Sequence, residues 1–384
     1  MPKAIKFTSE WTDEFGDFSD IRSWLMAELA KAYFEARKGK RRTRDEQKVE
    51  LRLTENLIFL TDAILARKYK PGRGIAFTVK DPVKREIFAA PFADRIIHHF
   101  LFNGVNEWWE RHFIDASYSC RKGKGTLYAA KDLLSKVQAI TDNFSHPAYV
   151  VKLDVKGYFM SLPKDGLYER VVWGLDRQFP NRGPHYEIYK YLWREVIFDD
   201  PVLGVEKHGR PKDWAGLPDD KSLFKQPANR GIPIGNLSSQ LLSNIYLDKL
   251  DRFIVFNLGY GKFYGRYVDD FFFLVRPEDL PRAKLHIKRV AAYLQSIGLT
   301  LHPKKIFVQE VRKGVPFVGY VVYPGYIVPG RRIKGNYLAT LKKIEAGQEE
   351  PEAALSYMGI MKHINGNKIQ AKIFDRAGLD FEGF

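Results

Sequence analysis

Apolar residues recur at three- and four-residue spacing in several stretches of the chain, which is the pattern of helices with one buried face. The clearest stretch places Leu53, Leu57 and Leu60 on one such face. It ends before Pro71, where a helix is expected to stop. Helices are predicted over residues 51–66, 92–109, from 164 onwards, 239–254 and 281–297.

Short runs of β-branched and aromatic residues predict strands between these helices. Strands are expected over 75–79 and 148–154, as a hairpin within 263–275, and as a pair near 317–322. A turn is expected at Asp81–Pro82. Residues 199–229 are rich in Pro, Gly, Asp and Lys, and are interpreted as a loop insertion. Strands interleaved with helices after a mostly helical start predict an α+β fold.

Composition narrows the classes of partner. The 384 residues carry a formal net charge of +16, which favours a polyanion such as nucleic acid or an anionic membrane surface. No apolar run approaches the roughly 18–20 residues of a spanning helix, and the N-terminus lacks a signal-peptide pattern. We therefore expect no membrane partner. The single cysteine, Cys120, excludes an internal disulfide and suits a reducing cytoplasm.

Three aspartates are the candidates for chemistry. Asp269 and Asp270 are adjacent at the tip of the expected hairpin, where like charges repel unless a divalent cation neutralises them. An exposed turn is the alternative, but aromatic residues on both sides indicate a packed hairpin. Asp154 ends another strand. Three such carboxylates can hold two Mg²⁺ ions about 3.5–4 Å apart, a spacing suited to phosphoryl transfer.

With these residues in place, the chain resembles reverse transcriptases of the prokaryotic group that includes group II introns, retrons, diversity-generating retroelements and antiphage defence enzymes. The resemblance runs from about residue 38 to about residue 367. It implies a right-hand polymerase fold within the α+β class. Fingers are expected in 1–145, a palm in 146–325 with the insertion at about 199–229, and a short helical thumb in 326–384.

Two motifs of the palm carry the resemblance. YVDD at Tyr267–Asp270 matches the catalytic turn of the family, and LDVKGYF at Leu153–Phe159 matches its first palm motif. The match implies that Asp154, Asp269 and Asp270 hold two Mg²⁺ ions, with Mn²⁺ able to substitute. It also implies that the Val155 carbonyl is a metal ligand and that Phe159 rejects a ribose 2′-OH. Ordinary core packing remains the alternative for Phe159.

Basic residues upstream match motifs that bind the incoming nucleotide. The segment 81–99 resembles a fingers motif, so Lys84 or Arg85 is expected to bind the triphosphate. SYSCRKGKGT at Ser117–Thr126 places Arg121 on the same group, aided by Lys122. The planar fork of arginine suits phosphate oxygens. Contact with a nucleic-acid backbone is the alternative for Lys84 and Lys122.

The sequence GIPIGNLSSQ opens the helix over 239–254. Gly235 permits close backbone approach, and Asn236 or Ser238 can cap the helix. Ile234, Gly235 and Gln240 form the variant Ile-Gly-x-x-x-Ser-Gln, which in the family marks diversity-generating enzymes and some defence lineages. The apolar Ile234 replaces a side chain able to hydrogen-bond near the nascent base pair. The hypothesis is that base selection is loosened there.

Further matches lie in the last third of the chain. Lys305 is the residue expected to protonate the leaving pyrophosphate, with Lys304 as an alternative and a surface lysine pair as another. PFVGY at Pro316–Tyr320 matches the primer-grip turn. The basic and aromatic C-terminal region suits a thumb along a template–primer duplex. His98–His99 and Trp108–Trp109 are interpreted as structural.

The resulting hypothesis is RNA-directed DNA synthesis from an element-encoded RNA template, at low fidelity, in a diversity-generating retroelement. Its expected partners are template RNA, an RNA/DNA duplex, dNTPs and a small basic accessory protein, in a prokaryotic cytoplasm. An antiphage defence enzyme that copies a dedicated non-coding RNA is the alternative within the family. A non-catalytic RNA-binding protein with a polymerase fold is the alternative from another class.

Overall fold

The computed structural model describes residues 18–40, 43–80 and 83–380, so the turn expected at Asp81–Pro82 lies outside the described residues. Helices and strands are mixed along the whole described chain, and the predicted α+β class is confirmed. The helices are α1 Phe18–Ala36, α2 Arg44–Glu50, α3 Leu53–Leu65, α4 Phe92–His112, α5 Thr126–Ile140, α6 Tyr158–Ser161, α7 Lys164–Gln178, α8 Pro184–Phe198, α9 Pro211–Trp214, α10 Leu237–Arg252, α11 Leu280–Ser296, α12 Arg331–Glu345, α13 Leu355–Lys362 and α14 Asn367–Ala377.

Ten strands form three sheets in the described part of the chain. One sheet has the order β2-β1-β4, a second β5-β6-β3-β7, and a third β10-β9-β8. The strands are β1 Ile75–Val79, β2 Arg85–Ala89, β3 Tyr149–Asp154, β4 Glu206–Lys207, β5 Tyr264–Tyr267, β6 Asp270–Val275, β7 Phe307–Glu310, β8 Val315–Phe317, β9 Tyr320–Tyr323 and β10 Tyr326–Pro329. The predicted hairpin is therefore β5-β6, and the expected strand pair is the start of a three-stranded meander.

The interpretation of residues 199–229 as a loop insertion is corrected by the structure. Within it, β4 pairs in parallel with β1, and α9 and two 3₁₀ turns follow. The segment approaches α6 closely: a Cβ on Gly157, whose φ is +54°, would lie 2.4 Å from the Asp220 carbonyl oxygen. Only glycine fits there. The predicted break at Gly157 therefore has a long-range cause as well as a local one.

The chain divides into two compact units, each made of three separate stretches. The first comprises 1–113, 156–249 and 294–300, and the second comprises 114–155, 250–293 and 301–384. In the first unit a small apolar cluster joins β1 and β2 to the 199–229 segment, through Ala76, Phe88, Met160 and Leu223. In the second unit, α5 and strands β3 and β6 contribute to one core with the β8-β9-β10 sheet. The last helices form a further cluster around Tyr337 and Phe374.

None of the helices in the described ranges is both long enough and apolar enough to cross a lipid bilayer.

Candidate active site

The three candidate aspartates converge at one end of the β5-β6-β3-β7 sheet. Strand β3 runs antiparallel to β6 with Val151 opposite Phe273, Leu153 opposite Phe271, and Asp154 opposite Asp270. The phenylalanines 271 to 273 are fully buried, which confirms that the hairpin is packed. Because side chains alternate across a strand, Asp154 and Asp270 lie together on the face of the sheet opposite to Leu153 and Phe271.

Asp269 occupies the turn itself. Tyr267 pairs with Asp270 across the hairpin, so Val268 and Asp269 form its two-residue loop. The Val155 amide donates a hydrogen bond to the Asp269 carbonyl at 3.3 Å. This bond joins the turn to the end of β3. Asp154 and the loop aspartate are thereby held side by side through the backbone.

Burial and mutual repulsion dominate the electrostatics of these carboxyls. Burial, followed by the charge of Asp154, raises the pKa of Asp269 to about 7. Burial also raises the pKa of Asp270, and the Lys152 ammonium opposes that shift. Such carboxyls are poised to gain a counter-charge, since a nearby cation lowers the cost of ionising them.

Two lysines supply part of that counter-charge. Lys305 Nζ lies 2.8 Å from Asp154 Oδ2, and Lys152 Nζ lies 3.2 Å from Asp270 Oδ2. Of the two candidates at 304–305, Lys305 is thus the one seen in contact with a candidate carboxylate.

The donor set fits a hard divalent cation. Asp154 Oδ1 is buried and has no hydrogen-bond partner, and an oxygen of this kind is what Mg²⁺ or Mn²⁺ binds. Over the described ranges, however, no group of three or more His, Cys, Asp or Glu side chains is arranged to hold a metal. A two-metal site therefore stays a prediction.

Arg121 belongs to the same unit and is held by the backbone around it. Its Nη1 donates to the carbonyls of Ile114 and Ser117 at 2.7 and 2.9 Å. These two hydrogen bonds hold the Nη1 side of the Arg121 guanidinium against the loop that precedes α5.

Lys84 and Arg85 lie in the first unit, at the start of β2. Lys84 Nζ donates to the Ala215 carbonyl at 2.6 Å, and Arg85 Nε is buried without a hydrogen-bond partner. The next residue, Glu86, is fully buried and accepts hydrogen bonds from the Ser222 hydroxyl and the Leu223 amide. The 199–229 segment is therefore anchored directly to β2, which begins at Arg85 and directly follows Lys84.

Phe159 and Ile234 also belong to the first unit. Both are half-buried and pack against the cluster that contains Phe88 and Leu223. The Ile234 carbonyl accepts a hydrogen bond from the Phe88 amide at 2.8 Å, and a Cβ on Gly235, at φ +129°, would lie 2.7 Å from the Phe88 carbonyl oxygen. The close approach expected of Gly235 is thus present, and it is made to β2.

Gln240 and Ser238 lie in the first turn of α10. The side chain of Gln240 is exposed. The Ser238 hydroxyl lies 2.8 Å from His98 Nδ1, so this serine links α10 to α4. The pair agrees with the interpretation of His98 as structural. Trp109 is likewise a core residue, 1% exposed.

Comparison with known families supplies the identification. A family model described as "Reverse transcriptase (RNA-dependent DNA polymerase)" matches residues 84–322, well over half of the chain. The chain belongs to this family. The matched range includes Lys84, Phe159 and Ile234. It also includes the three candidate aspartates, Asp154, Asp269 and Asp270. The right-hand polymerase arrangement expected from the sequence stays a prediction within the confirmed α+β class.

Individual relatives are more distant. Protein YkfC of Escherichia coli (strain K12) is 24% identical over 208 residues, which are 54% of this chain and 47% of that protein. The chain thus spans about half the length of this curated relative. Apo telomerase from Candida tropicalis matches with a TM-score of 0.45 and 14% identity, over 66% of this chain and 48% of that one. Telomerase from Candida albicans, in complex with a TWJ fragment of telomeric RNA, matches with a TM-score of 0.47 and 13% identity, over 81% and 55%.

Lys152 lies beside the candidate aspartates, and the sequence reasoning missed it. Besides Asp270 it contacts the primer-grip motif, since its Nζ donates to the Pro316 carbonyl at 2.7 Å and lies 5.6 Å from the centre of the Phe317 ring. A signal was present. Lys152 and Asp154 are two residues apart on one strand, so they share a face of the sheet. A lysine at that position is therefore directed toward the same carboxylates.

Proposed function

We propose that the chain is an RNA-directed DNA polymerase that adds dNTPs to a primer by two-metal nucleotidyl transfer. The observation that carries the proposal is the register of β3 and β6, which sets Asp154 opposite Asp270 with Asp269 in the adjoining turn. Three neighbouring carboxylates, one with a buried oxygen that has no hydrogen-bond partner, are the oxygen ligands that hard cations prefer, and they support the proposal on a strongly basic chain. Family membership supports the same reaction.

In this mechanism each residue has a stated task. Two Mg²⁺ ions bound by Asp154, Asp269, Asp270 and the Val155 carbonyl would activate the primer 3′-OH and neutralise charge on the phosphates. Arg121 is proposed to bind and orient the triphosphate, and Arg85 is the second residue proposed for this task. The Lys305 ammonium, held beside Asp154, donates a proton to the leaving pyrophosphate.

Phe159 excludes a ribose 2′-OH in this proposal by presenting an aromatic face to the sugar. Phe159 is half-buried, so part of its surface stays accessible. The assignment of fingers to 1–145, palm to 146–325 and thumb to 326–384 belongs to the same proposal.

Primer extension on an RNA template with dNTPs and Mg²⁺ tests the activity. Asp269→Asn/Asp270→Asn should lower the rate by on the order of a thousandfold, since charge stabilisation by the metals is worth several kcal/mol. Asp142→Asn is the matched control, because Asp142 is an exposed aspartate of the same unit, paired with Arg276 at 3.1 Å. A parent protein that yields no metal-dependent DNA, even on its native RNA, would support the non-catalytic RNA-binding alternative instead.

The finer proposal is a role in a diversity-generating retroelement, with an element-encoded template RNA and a small basic accessory protein as partners. The Ile-Gly-x-x-x-Ser-Gln motif at 234–240 supports it. A defence enzyme that copies a dedicated non-coding RNA is the second candidate. The 199–229 segment, which contains WAGLPDDKSLF, favours it because it resembles sequences of defence-associated enzymes. A template and variable repeat pair in neighbouring genes supports the first, and its absence supports the second.

Base selection is predicted to depend on Ile234, which offers no hydrogen bond from its side chain. Ile234→Gln should lower the misincorporation frequency several-fold, while Ile234→Val, which stays apolar, should leave it at the parent level. The measurement is deep sequencing of cDNA made on one defined template, scored separately opposite each template base. Equal error spectra for the parent and Ile234→Gln would contradict the proposed role of this side chain.

A further inference from the structure

Val268, the residue before the catalytic pair, has a backbone conformation that valine rarely adopts. Its φ is +57°, in the left-handed region. Two-residue hairpin loops require φ > 0 at their first position, and glycine or asparagine normally fills it. A β-branched residue there is strained and persists only where its surroundings hold it.

One buried arginine supplies that hold. Arg266 Nη1 donates to the Val268 carbonyl at 2.9 Å. Its Nε and Nη2 donate to the two carboxylate oxygens of Asp251, each at 2.7 Å, and neither side chain is exposed to solvent. The Tyr264 hydroxyl donates to the same carboxylate at 2.6 Å. A planar guanidinium held by this bidentate pair has its remaining donors fixed in direction.

The same arginine also reaches the segment that precedes Arg121. Its Nη2 donates to the Ser117 hydroxyl at 3.0 Å, and its backbone bonds to Ala116 and Tyr118 at 2.9 Å on either side. Arg121 is in turn bonded to the Ser117 carbonyl. One buried group thus links the catalytic turn with the loop that carries a triphosphate-binding candidate.

We propose that the Arg266–Asp251 pair is a positioning device that holds Val268 in its strained conformation and thereby sets the place of Asp269. This inference rests on the proposed polymerase function. A strained turn that is held from behind has a single arrangement of its carboxylates, whereas a relaxed turn would have several. Small displacements of such groups cost large factors in rate.

The test is a double-substitution cycle. Arg266→Lys keeps the charge but loses the fork, so it should lower kcat for nucleotide addition by on the order of tenfold or more, with KM for dNTP changed less than threefold. Glycine adopts φ +57° without strain, so the turn no longer needs to be held. Adding Arg266→Lys to Val268→Gly should therefore cost at most about threefold. Asp251→Asn weakens the bidentate pair that holds the Arg266 guanidinium. Its loss of kcat should likewise be rescued by Val268→Gly.

Hydrogen exchange gives a readout that does not need activity. The Val155 amide bonds to the Asp269 carbonyl, so it should exchange faster in Arg266→Lys than in the parent. Tyr260→Phe is the control, since it removes the hydrogen bond between the Tyr260 hydroxyl and His286 in the same unit, away from the turn. It should leave both kcat and the exchange of Val155 unchanged.

Two results would overturn the inference. One is unchanged exchange at Val155 in Arg266→Lys and in Asp251→Asn. The other is a loss of kcat that Val268→Gly fails to rescue, which would assign the pair a merely structural role. If the parent extends no primer at all, the polymerase proposal fails, and the exchange result alone still decides whether the pair holds the turn.

Discussion

Lysine and aspartate lie in contact at two points of the catalytic sheet, and one of these lysines has a second partner. Lys152 bridges Asp270 and the carbonyl of Pro316, so a single ammonium contacts a proposed metal ligand and the segment proposed as the primer grip. This residue joins the two by hydrogen bonds to charged or polar oxygens, which are among the stronger interactions available to a side chain.

Removing this lysine should therefore impair catalysis. We expect Lys152→Met to lower the single-turnover rate of primer extension by on the order of tenfold, because a hydrogen bond to a charged group is worth about 1.5–3 kcal/mol. Lys156→Met, at an exposed position just beyond the strand, is the matched control and should act like the parent. Equal rates for Lys152→Met and the parent would remove Lys152 from the site.

His98 makes folding stability depend on pH. Burial lowers the pKa of His98 to about 3, far below the value near 6.5 of an unfolded chain. Between these two values the unfolded state binds a proton that the folded state does not, so stability falls as the pH is lowered through 6.5. From pH 7 to pH 5 the loss from His98 is about 2 kcal/mol.

Urea unfolding at pH 7 and pH 5 measures this loss. His98→Gln, which retains a polar group opposite Ser238, should lose about 2 kcal/mol less than the parent over the same interval. The other histidines are common to both proteins, so their contributions cancel in the difference. Parallel pH profiles would show that His98 is protonated within the folded protein.

At the scale of elements, the 199–229 segment contributes a strand to the β2-β1-β4 sheet of the first unit. Its strand β4 extends the β1-β2 hairpin, and Glu86 on β2 accepts two hydrogen bonds from Ser222 and Leu223. Phe224 packs near Phe88 at a ring separation of 5.4 Å. The segment thus supports the strand on which Arg85 lies.

Glu86→Ala should loosen this attachment. It leaves the Ser222 hydroxyl and the Leu223 amide without their buried acceptor, so the free energy of unfolding should fall by about 2 kcal/mol or more. Glu206→Ala, at an exposed glutamate on β4, should change stability by less than about 0.5 kcal/mol. Thermal unfolding of the three proteins compares them directly, and an equal effect of both substitutions would contradict the anchoring role of Glu86.

At the scale of the whole molecule, one boundary between the two compact units lies within the LDVKGYF motif. Asp154 and Val155 end one stretch of the second unit, and Lys156 begins a stretch of the first that includes Phe159. One motif of seven residues, Leu153–Phe159, therefore contributes its carboxylate to one unit and its aromatic residue to the other. Contiguous sequence domains and compact units are different divisions of this chain.

The sequence by itself determined the α+β class, because this follows from local periodicity. The chemistry of adjacent carboxylates singled out Asp269 and Asp270, the end of a predicted strand singled out Asp154, and the resemblance to a family supplied the order of the motifs. Only the tertiary structure decided that 199–229 supplies a strand, that Lys152 bridges Asp270 and Pro316, and that Arg266 holds Val268. Each of these depends on how segments far apart in the chain pair with one another. A pattern of residues along a single segment contains no information about that pairing.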